Sequence, residues 1–235
     1  MIHLLWCTIR VDMFKKSHEI WIENSNNKDF LSHILVSTNE EKELLQKYFD
    51  KNKLKSRITI YKPPYIGVCL PSYKLSSTLE YKDDDIIIFA SDDFTPPKGW
   101  DDYLINKLDS KDNSVLMVRD GYQKPDSSNM LHPAITIPIM KGGGLNKLNK
   151  IIDNPVYHHM FSDCELYQVS KDLGILIDDR LSDDTTFTHH HHAYGKRPAD
   201  EFDKIFYSDW KIDEKTWELR KSMSLEEKIK INIEL

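Results

Sequence analysis

Three observations predict an α/β fold in which a mainly parallel sheet is flanked by helices. Apolar runs of strand length alternate with amphipathic, helix-like stretches from Ile2 to Trp100. The run Asp85-Ile-Ile-Ile-Phe-Ala90 is continuously apolar between its ends, as suits a strand covered on both faces. The chain has 235 residues, of which 40% are hydrophobic and 30% charged, enough for one sizeable core.

The elements follow in order. Ile2–Thr8 reads as a buried first strand, and Val11–Asn24 as a helix with Phe14, Ile20 and Trp21 as anchors. His33–Ser37 is a second strand. Thr38 or Asn39 then caps a helix with Glu40, Glu41 and Glu43 in its first turn, where the helix dipole favours negative charge. Arg57–Tyr61 is a third strand, stopped by Pro63 and Pro64, and Ser72–Tyr81 is helical with Leu75 and Leu79 on one face. After the Asp85–Ala90 strand comes a helix over Lys98–Leu108. The later half predicts strands at Ser114–Val118, Ala134–Met140 and Ile175–Ile177, and helices at Leu145–Ile152 and Ser162–Lys171. Gly142–Gly144 is expected to be a loop. Beyond Pro198 the chain turns charged and helical, with Phe202, Phe206, Trp210 and Trp217 as anchors. These patterns divide it into a domain over residues 1–200 and a helical extension over 201–235 packed on it.

Composition narrows the function classes. A net charge of -6 argues against a non-specific nucleic-acid binder, although 32 Lys and Arg leave room for a local basic stripe from Lys141, Lys147, Lys150, Lys196 and Arg197. Cys7, Cys69 and Cys164 have no paired spacing, so neither a disulfide framework nor a structural zinc site is expected, and a cytoplasmic setting is. The N-terminus reads as a strand rather than a leader, and no run approaches the ~18–20 apolar residues of a membrane span. Neither GxGxxG nor GxxxxGK[ST] occurs, which argues against Rossmann dinucleotide and P-loop sites.

The chemistry-bearing residues gather in few places. Asp92 and Asp93 end the clearest strand, where ligands collect in open α/β sheets. Two adjacent carboxylates repel unless a cation or proton intervenes, and oxygen donors suit Mg²⁺ or Mn²⁺. Both aspartates also suit plain capping of the turn before the next helix. In an extended His189–His192 run, His189 and His191 share one face and His190 and His192 the other, so one pair can add imidazole to a metal. Asp163 and Glu165 open a helix; they point to different faces, so only one can act as a general base, and Asp163 is favoured. Gly143, within Gly142–Gly144, allows close backbone approach to a ligand such as a phosphate, or merely forms a turn.

Ile86-Ile-Ile-Phe-Ala-Ser-Asp-Asp-Phe-Thr-Pro-Pro-Lys-Gly-Trp100 resembles the acidic DXD-type segment of family 2-like glycosyltransferases. Trp6-Cys-Thr-Ile-Arg10 is similar to the nucleotide-binding opening of that superfamily, and Phe161-Ser-Asp-Cys-Glu-Leu166 to its base-bearing helix start. Thr188-His-His-His-His-Ala-Tyr-Gly-Lys196, followed by Asp200-Glu201, resembles an H-x-H-x-x-x-G-K segment of small phage-type relatives. The sequence departs where Ser91 replaces the first DXD carboxylate and where Ser37-Thr38-Asn39 replaces an Asp-Gly-Ser segment.

The resemblance implies a GT-A-type, Rossmann-like mixed sheet and metal-dependent, inverting transfer of a hexose or pentose from a nucleoside-diphosphate sugar. It implies that Asp93, with His189 or His191, holds Mn²⁺ or Mg²⁺, that Thr8, Arg10 and Asp92 line the nucleotide pocket, and that Asp163 is the base. The acceptor is open among a glycan, a lipid-linked sugar, a protein side chain and a hydroxylated DNA base. Two other functions fit the same fold class: a sugar nucleotidyltransferase, against which residues 8–16 offer no glycine, and a silent nucleotide- or carbohydrate-binding module.

Overall fold

The structure is a computed structural model and describes residues 1–8, 10–61, 67–123, 133–182, 185–192, 195–199, 201, 204 and 209–230. The expected anchors Phe202 and Phe206 lie outside these residues. Seven strands form the main sheet in the order β3-β2-β1-β4-β7-β6-β8. They are β1 (Ile2–Cys7), β2 (Phe30–Val36), β3 (Ser56–Ile60), β4 (Ile86–Phe89), β6 (Val115–Met117), β7 (Ile139–Lys141) and β8 (Leu176–Asp178). β1 is parallel to β2 and β4, and β2 to β3, whereas β7 runs antiparallel to both β4 and β6. β6 and β8 are parallel. A two-stranded ribbon, β5 (Phe94–Thr95) with β9 (Thr188–His189), stands apart from it.

Alternation along the strands divides the core into two layers. Leu4, Trp6, Ile34, Ile88 and Ile139 face one side and pack with α1 (Val11–Glu23), α2 (Asn39–Asn52) and α4 (Trp100–Lys107) through Phe14, Trp21, Leu45, Phe49 and Leu104. Leu5, Leu35, Ile87, Val115 and Met140 face the other, against Leu75 of α3 (Cys69–Ser77), Leu145 of α5 (Gly142–Lys147) and Leu166 of α6 (Ser162–Asp172). Ile87 and Ile88 are both fully buried, each worth roughly 1.5–3 kcal/mol relative to exposure, which is why this run reads so clearly as a strand.

Local chemistry sets the helix limits. Thr38 accepts from the Glu41 N–H and Glu41 reaches back to the Thr38 N–H, a reciprocal capping box at the predicted place. α1 forms where expected, with Phe14 and Trp21 buried, but Ile20 is exposed. Two expectations are corrected. The glycine run is the first turn of α5 rather than a loop, and of Ala134–Met140 only Ile139 and Met140 enter a strand.

The extension contributes α7 (Trp210–Lys221) and α8 (Leu225–Lys228). Among the described residues, no helix is long and apolar enough to cross a membrane.

Candidate active site

The strand order places a crevice beside β1. From β1 the chain moves outward on one side to β2 and then β3, whereas β4 lies on the other side. Loops leaving parallel strands on either side of such a reversal diverge, and ligands of open α/β sheets bind in the gap. Thr8 and Arg10 follow β1, and Ser91, Asp92 and Asp93 follow β4.

Side chains bridge this gap. The Arg10 guanidinium forks onto Asp92, its Nε donating to Oδ2 at 3.0 Å and its second bond reaching Oδ1. Thr8 shapes the turn, its buried hydroxyl accepting the Arg10 N–H at 3.1 Å. Asp93 turns the other way. Its Oδ1 accepts the Ser91 hydroxyl at 2.6 Å, and its Oδ2 lies 3.2 Å from His189 Nε2. Ser91, at the position of the missing DXD carboxylate, thus serves its neighbour as a hydrogen-bond donor.

The histidines arrive through β9. Phe94 pairs with His189 across the ribbon, and the His190 N–H donates to the Asp93 carbonyl at 2.7 Å. The expected alternation holds only in part. The His189 and His191 rings lie 5.0 Å apart and His190 turns away to meet Thr95 Oγ1 at 2.9 Å. But β9 ends at His189 and the His192 ring lies 4.4 Å from that of His191, so His192 does not share a face with His190 alone.

The two aspartates differ electrostatically. Burial pushes Asp92 up to about 6, with Arg10 opposing and the Asp93 charge adding to the rise. Burial acts on Asp93 too, but the hydrogen bond and charge of His189 and the Ser91 hydroxyl outweigh it and hold this carboxyl below its ordinary value. Burial also lowers His191 to about 4, keeping its imidazole neutral and able to bind a metal. His189 Nδ1 is buried without a hydrogen-bond partner. Asp93 with neighbouring imidazoles is a mixed oxygen and nitrogen donor set that fits Mn²⁺ better than Mg²⁺. Among the described residues, no three His, Cys, Asp or Glu side chains converge into a metal cluster. A cation here would therefore draw further ligands from a substrate.

Asp163 opens α6, half-buried, its Oδ1 accepting the Cys164 N–H at 2.9 Å. Burial raises its pKa, against hydrogen bonds from Cys164 and the charge of His189.

The other proposed acid has a different position. Glu165 is buried and gripped by Arg220 of α7, whose Nε donates to Oε2 at 2.9 Å and whose second nitrogen donates to Oε1 at 2.6 Å. A carboxylate committed to a buried guanidinium is not free to take a proton, so the catalytic expectation for Glu165 is corrected. Gly143 is corrected as well. Its N–H donates to the Asp83 carbonyl at 3.0 Å, before β4, at the opposite end of that strand from Asp92. A Cβ on Gly143 would lie 2.3 Å from the Asp112 backbone oxygen, so the residue serves tight packing and not the nucleotide. The basic stripe also dissolves. Lys141 is buried on the Asp84 carbonyl at 2.7 Å, Lys150 lies over the Tyr81 ring, and the charge of Arg197 acts on Asp92 at the other end of the sheet.

Two acids went unrecognised in the sequence. Asp120, just past β6, is buried and accepts from the Tyr122 and Gln123 N–H groups at 2.8 Å each and from the Thr136 hydroxyl at 2.9 Å. Its carbonyl accepts the His189 N–H at 3.1 Å, which fixes β9. An acid directly after an apolar run, the signal used for Asp92, would have found it. Asp153 accepts from Ser162 Oγ at 3.3 Å and from Ser72; its charge acts on Cys7 and Cys69, and the Asp163 charge acts on it. Its sequence signal is faint.

The sequence matches no protein-family model and no curated protein. Solved structures do match. The TarS 1–349 fragment from S. aureus superimposes with a TM-score of 0.59 at 14% identity, over 96% of this chain and 76% of that one. The same fragment in complex with UDP-GlcNAc gives a TM-score of 0.59 at 12% identity, over 97% and 69%. Glucosyl-3-phosphoglycerate synthase from Mycobacterium tuberculosis, in complex with phosphoglyceric acid, gives 0.53 at 14% identity, over 88% and 76%. The chain has a GT-A-type fold. At these identities the likeness is one of fold. The chain spans 41% of the longer TarS chain. In GT-A terms, Arg10, Asp92 and Asp93 occupy the mouth of the β1–β4 crevice, and α7 and α8 lie beyond the sheet.

Proposed function

We propose that the protein is an inverting glycosyltransferase that moves a sugar from a nucleoside-diphosphate sugar to an acceptor hydroxyl. One observation carries this reading: at the crevice between β1 and β4, Arg10 forks onto Asp92 while Asp93 faces His189 Nε2 at 3.2 Å. The likeness to a TarS fragment in complex with UDP-GlcNAc supports a nucleotide-sugar donor.

In this mechanism Thr8 and Arg10 border the nucleotide, with Arg10 held in place by Asp92. Asp93, with His189 or His191, would hold Mn²⁺ or Mg²⁺, the remaining ligands coming from the donor diphosphate, and the cation would supply positive charge to the departing diphosphate. Asp163 takes the proton of the acceptor hydroxyl. That oxygen bonds to the anomeric carbon as the carbon–oxygen bond to the diphosphate breaks, the electron pair leaving with the diphosphate. Its raised pKa makes Asp163 a stronger base than an ordinary carboxylate.

The test is a thermal-shift screen of UDP-, GDP-, ADP- and dTDP-sugars with and without Mn²⁺ or Mg²⁺. Ligand at 100 times its Kd stabilises the folded state by about 2.7 kcal/mol, a readily measured rise. A shift with one donor that needs metal supports the reading. Silence across all donors, with metal present, sinks it.

A further inference from the structure

The segment before Asp163 is held in an uncommon geometry by the C-terminal extension. Asp213 of α7 is fully buried and accepts three consecutive backbone N–H groups, from His158 at 2.8 Å, His159 at 2.9 Å and Met160 at 2.7 Å. The next residue, Phe161, has φ +68°, a left-handed conformation rare for an aromatic side chain. Its ring meets Trp210 edge-on at 5.2 Å and stacks at 6.1 Å on Trp217. Cys164 packs in the same cluster, and its thiol bonds Asp163. An aromatic group therefore stands one packing step from the proposed base.

Its outer member is accessible. Trp210 is 37% exposed, while Trp217 is 6% exposed. Beside it Asp209 Oδ2 lies 2.9 Å from His158 Nδ1, and both side chains are partly open to solvent. A partly exposed indole beside a partly exposed carboxylate and imidazole suits a polyhydroxylated ring: carbon-bound hydrogens pack on the indole, and hydroxyls donate to the carboxylate. Anionic acceptors fit poorly. Asp209, Asp213 and Asp163 are acidic, and Lys221, over the Trp217 ring, is paired with Glu218 at 2.6 Å. Binding to a phosphate backbone needs cations it can exchange for counterions.

We propose that Trp210, Phe161, Asp209 and His158 form an acceptor subsite for a neutral saccharide, supplied in part by the C-terminal extension. Calling it an acceptor subsite rests on the glycosyltransferase reading; saccharide binding itself does not.

The tryptophans provide the probe. Of the five, Trp6, Trp21, Trp100 and Trp217 are buried, so a collisional quencher reads mainly Trp210. The full chain is titrated with malto-, cello- and chitotriose, and separately with a poly(dT) oligonucleotide, following acrylamide quenching and saturation-transfer NMR. At least one trisaccharide is expected to protect Trp210. Trp210→Ala should weaken that binding about tenfold and Trp210→Phe restore part of it. Asp209→Asn should also weaken it, and the donor-induced thermal shift should be unchanged in all three variants. No protection by any trisaccharide, equal binding by Trp210→Ala, or protection by the oligonucleotide instead would each overturn the proposal. Trisaccharide binding without any donor shift would remove the glycosyltransferase reading and keep the subsite. A donor shift without trisaccharide binding would do the reverse.

Discussion

His189 lies opposite Phe94 in the β5–β9 ladder, and their rings stack with centroids 4.1 Å apart and 15° between planes. Residues 95 apart in sequence are thereby fixed so that imidazole Nε2 meets the Asp93 carboxylate. The side-chain contacts then separate the histidines: His189 meets Asp93, whereas His190 meets Thr95. We expect Asp93→Ala to abolish the metal-dependent part of the donor-induced thermal shift, and His189→Ala to weaken metal dependence by about tenfold, equivalent to about 1.4 kcal/mol. His190→Ala should leave metal dependence intact and cost about 1 kcal/mol through its lost bond to Thr95. Metal titrations of the three variants in the same assay check the pattern. Equal loss in His189→Ala and His190→Ala would contradict the assignment of faces.

Asp163 separates binding from chemistry. Asp163→Asn keeps an oxygen that can accept the Cys164 N–H but cannot take a proton from a hydroxyl. Donor Kd should stay within about twofold, and the transfer rate should fall by roughly 10²–10⁴. Single-turnover transfer, measured once an acceptor is in hand, gives the rate. An active Asp163→Asn enzyme would require another base.

Much of this arrangement was legible in the sequence, because it rests on local periodicity. β4 announces itself by an unbroken apolar run, and acids directly after it lie at a strand's carboxyl end whatever the rest of the chain does. The opposite facing of His189 and His190 is equally local, but β9 ends at His189, so the expected pairing of His190 with His192 does not extend past it. What failed depends on distant partners. Ala134–Met140 looks like one strand, yet Pro138 has no N–H to give a ladder and serves only by its carbonyl, which accepts from Phe89 at 2.9 Å. Two acids two residues apart at the start of α6 look alike until Arg220, 55 residues beyond Glu165, claims one of them. Asp153 gains its environment from Ser72 and Ser162, on two different helices.

The Glu165–Arg220 pair anchors the extension, and its removal should be a matter of stability. Arg220 also donates to the Lys228 carbonyl at 2.9 Å, tying α7 to both α6 and α8. Glu165→Ala strands a buried guanidinium and should cost about 3–5 kcal/mol. Replacing both partners, as in Glu165→Leu with Arg220→Met, should recover most of that loss, since the desolvation of both charges disappears with them. Urea unfolding of the single and double variants measures the coupling. A Glu165→Ala variant with normal stability and no transfer activity would return Glu165 to the catalytic machinery.

Asp153 should leave a signature in the pH dependence of stability. Burial, with the Asp163 charge adding to it and the Ser72 and Ser162 hydroxyls opposing it, raises its pKa from 3.8 to about 6. Between those values the folded protein holds a proton that the unfolded chain has released. Stability contributed by this group is therefore present below the unfolded value and lost as pH rises through the folded one. Asp153→Asn can still accept from both serines but has no charge to bury. We expect its urea midpoint to vary less than the wild-type midpoint between pH 4 and about 6, and to exceed it at neutral pH by on the order of 2 kcal/mol of stability. Asp92, raised to about 6 by its own burial, titrates in the same direction and should leave a residual slope in the variant. Parallel curves for wild type and Asp153→Asn would mean that Asp153 stays charged in the folded protein at little cost.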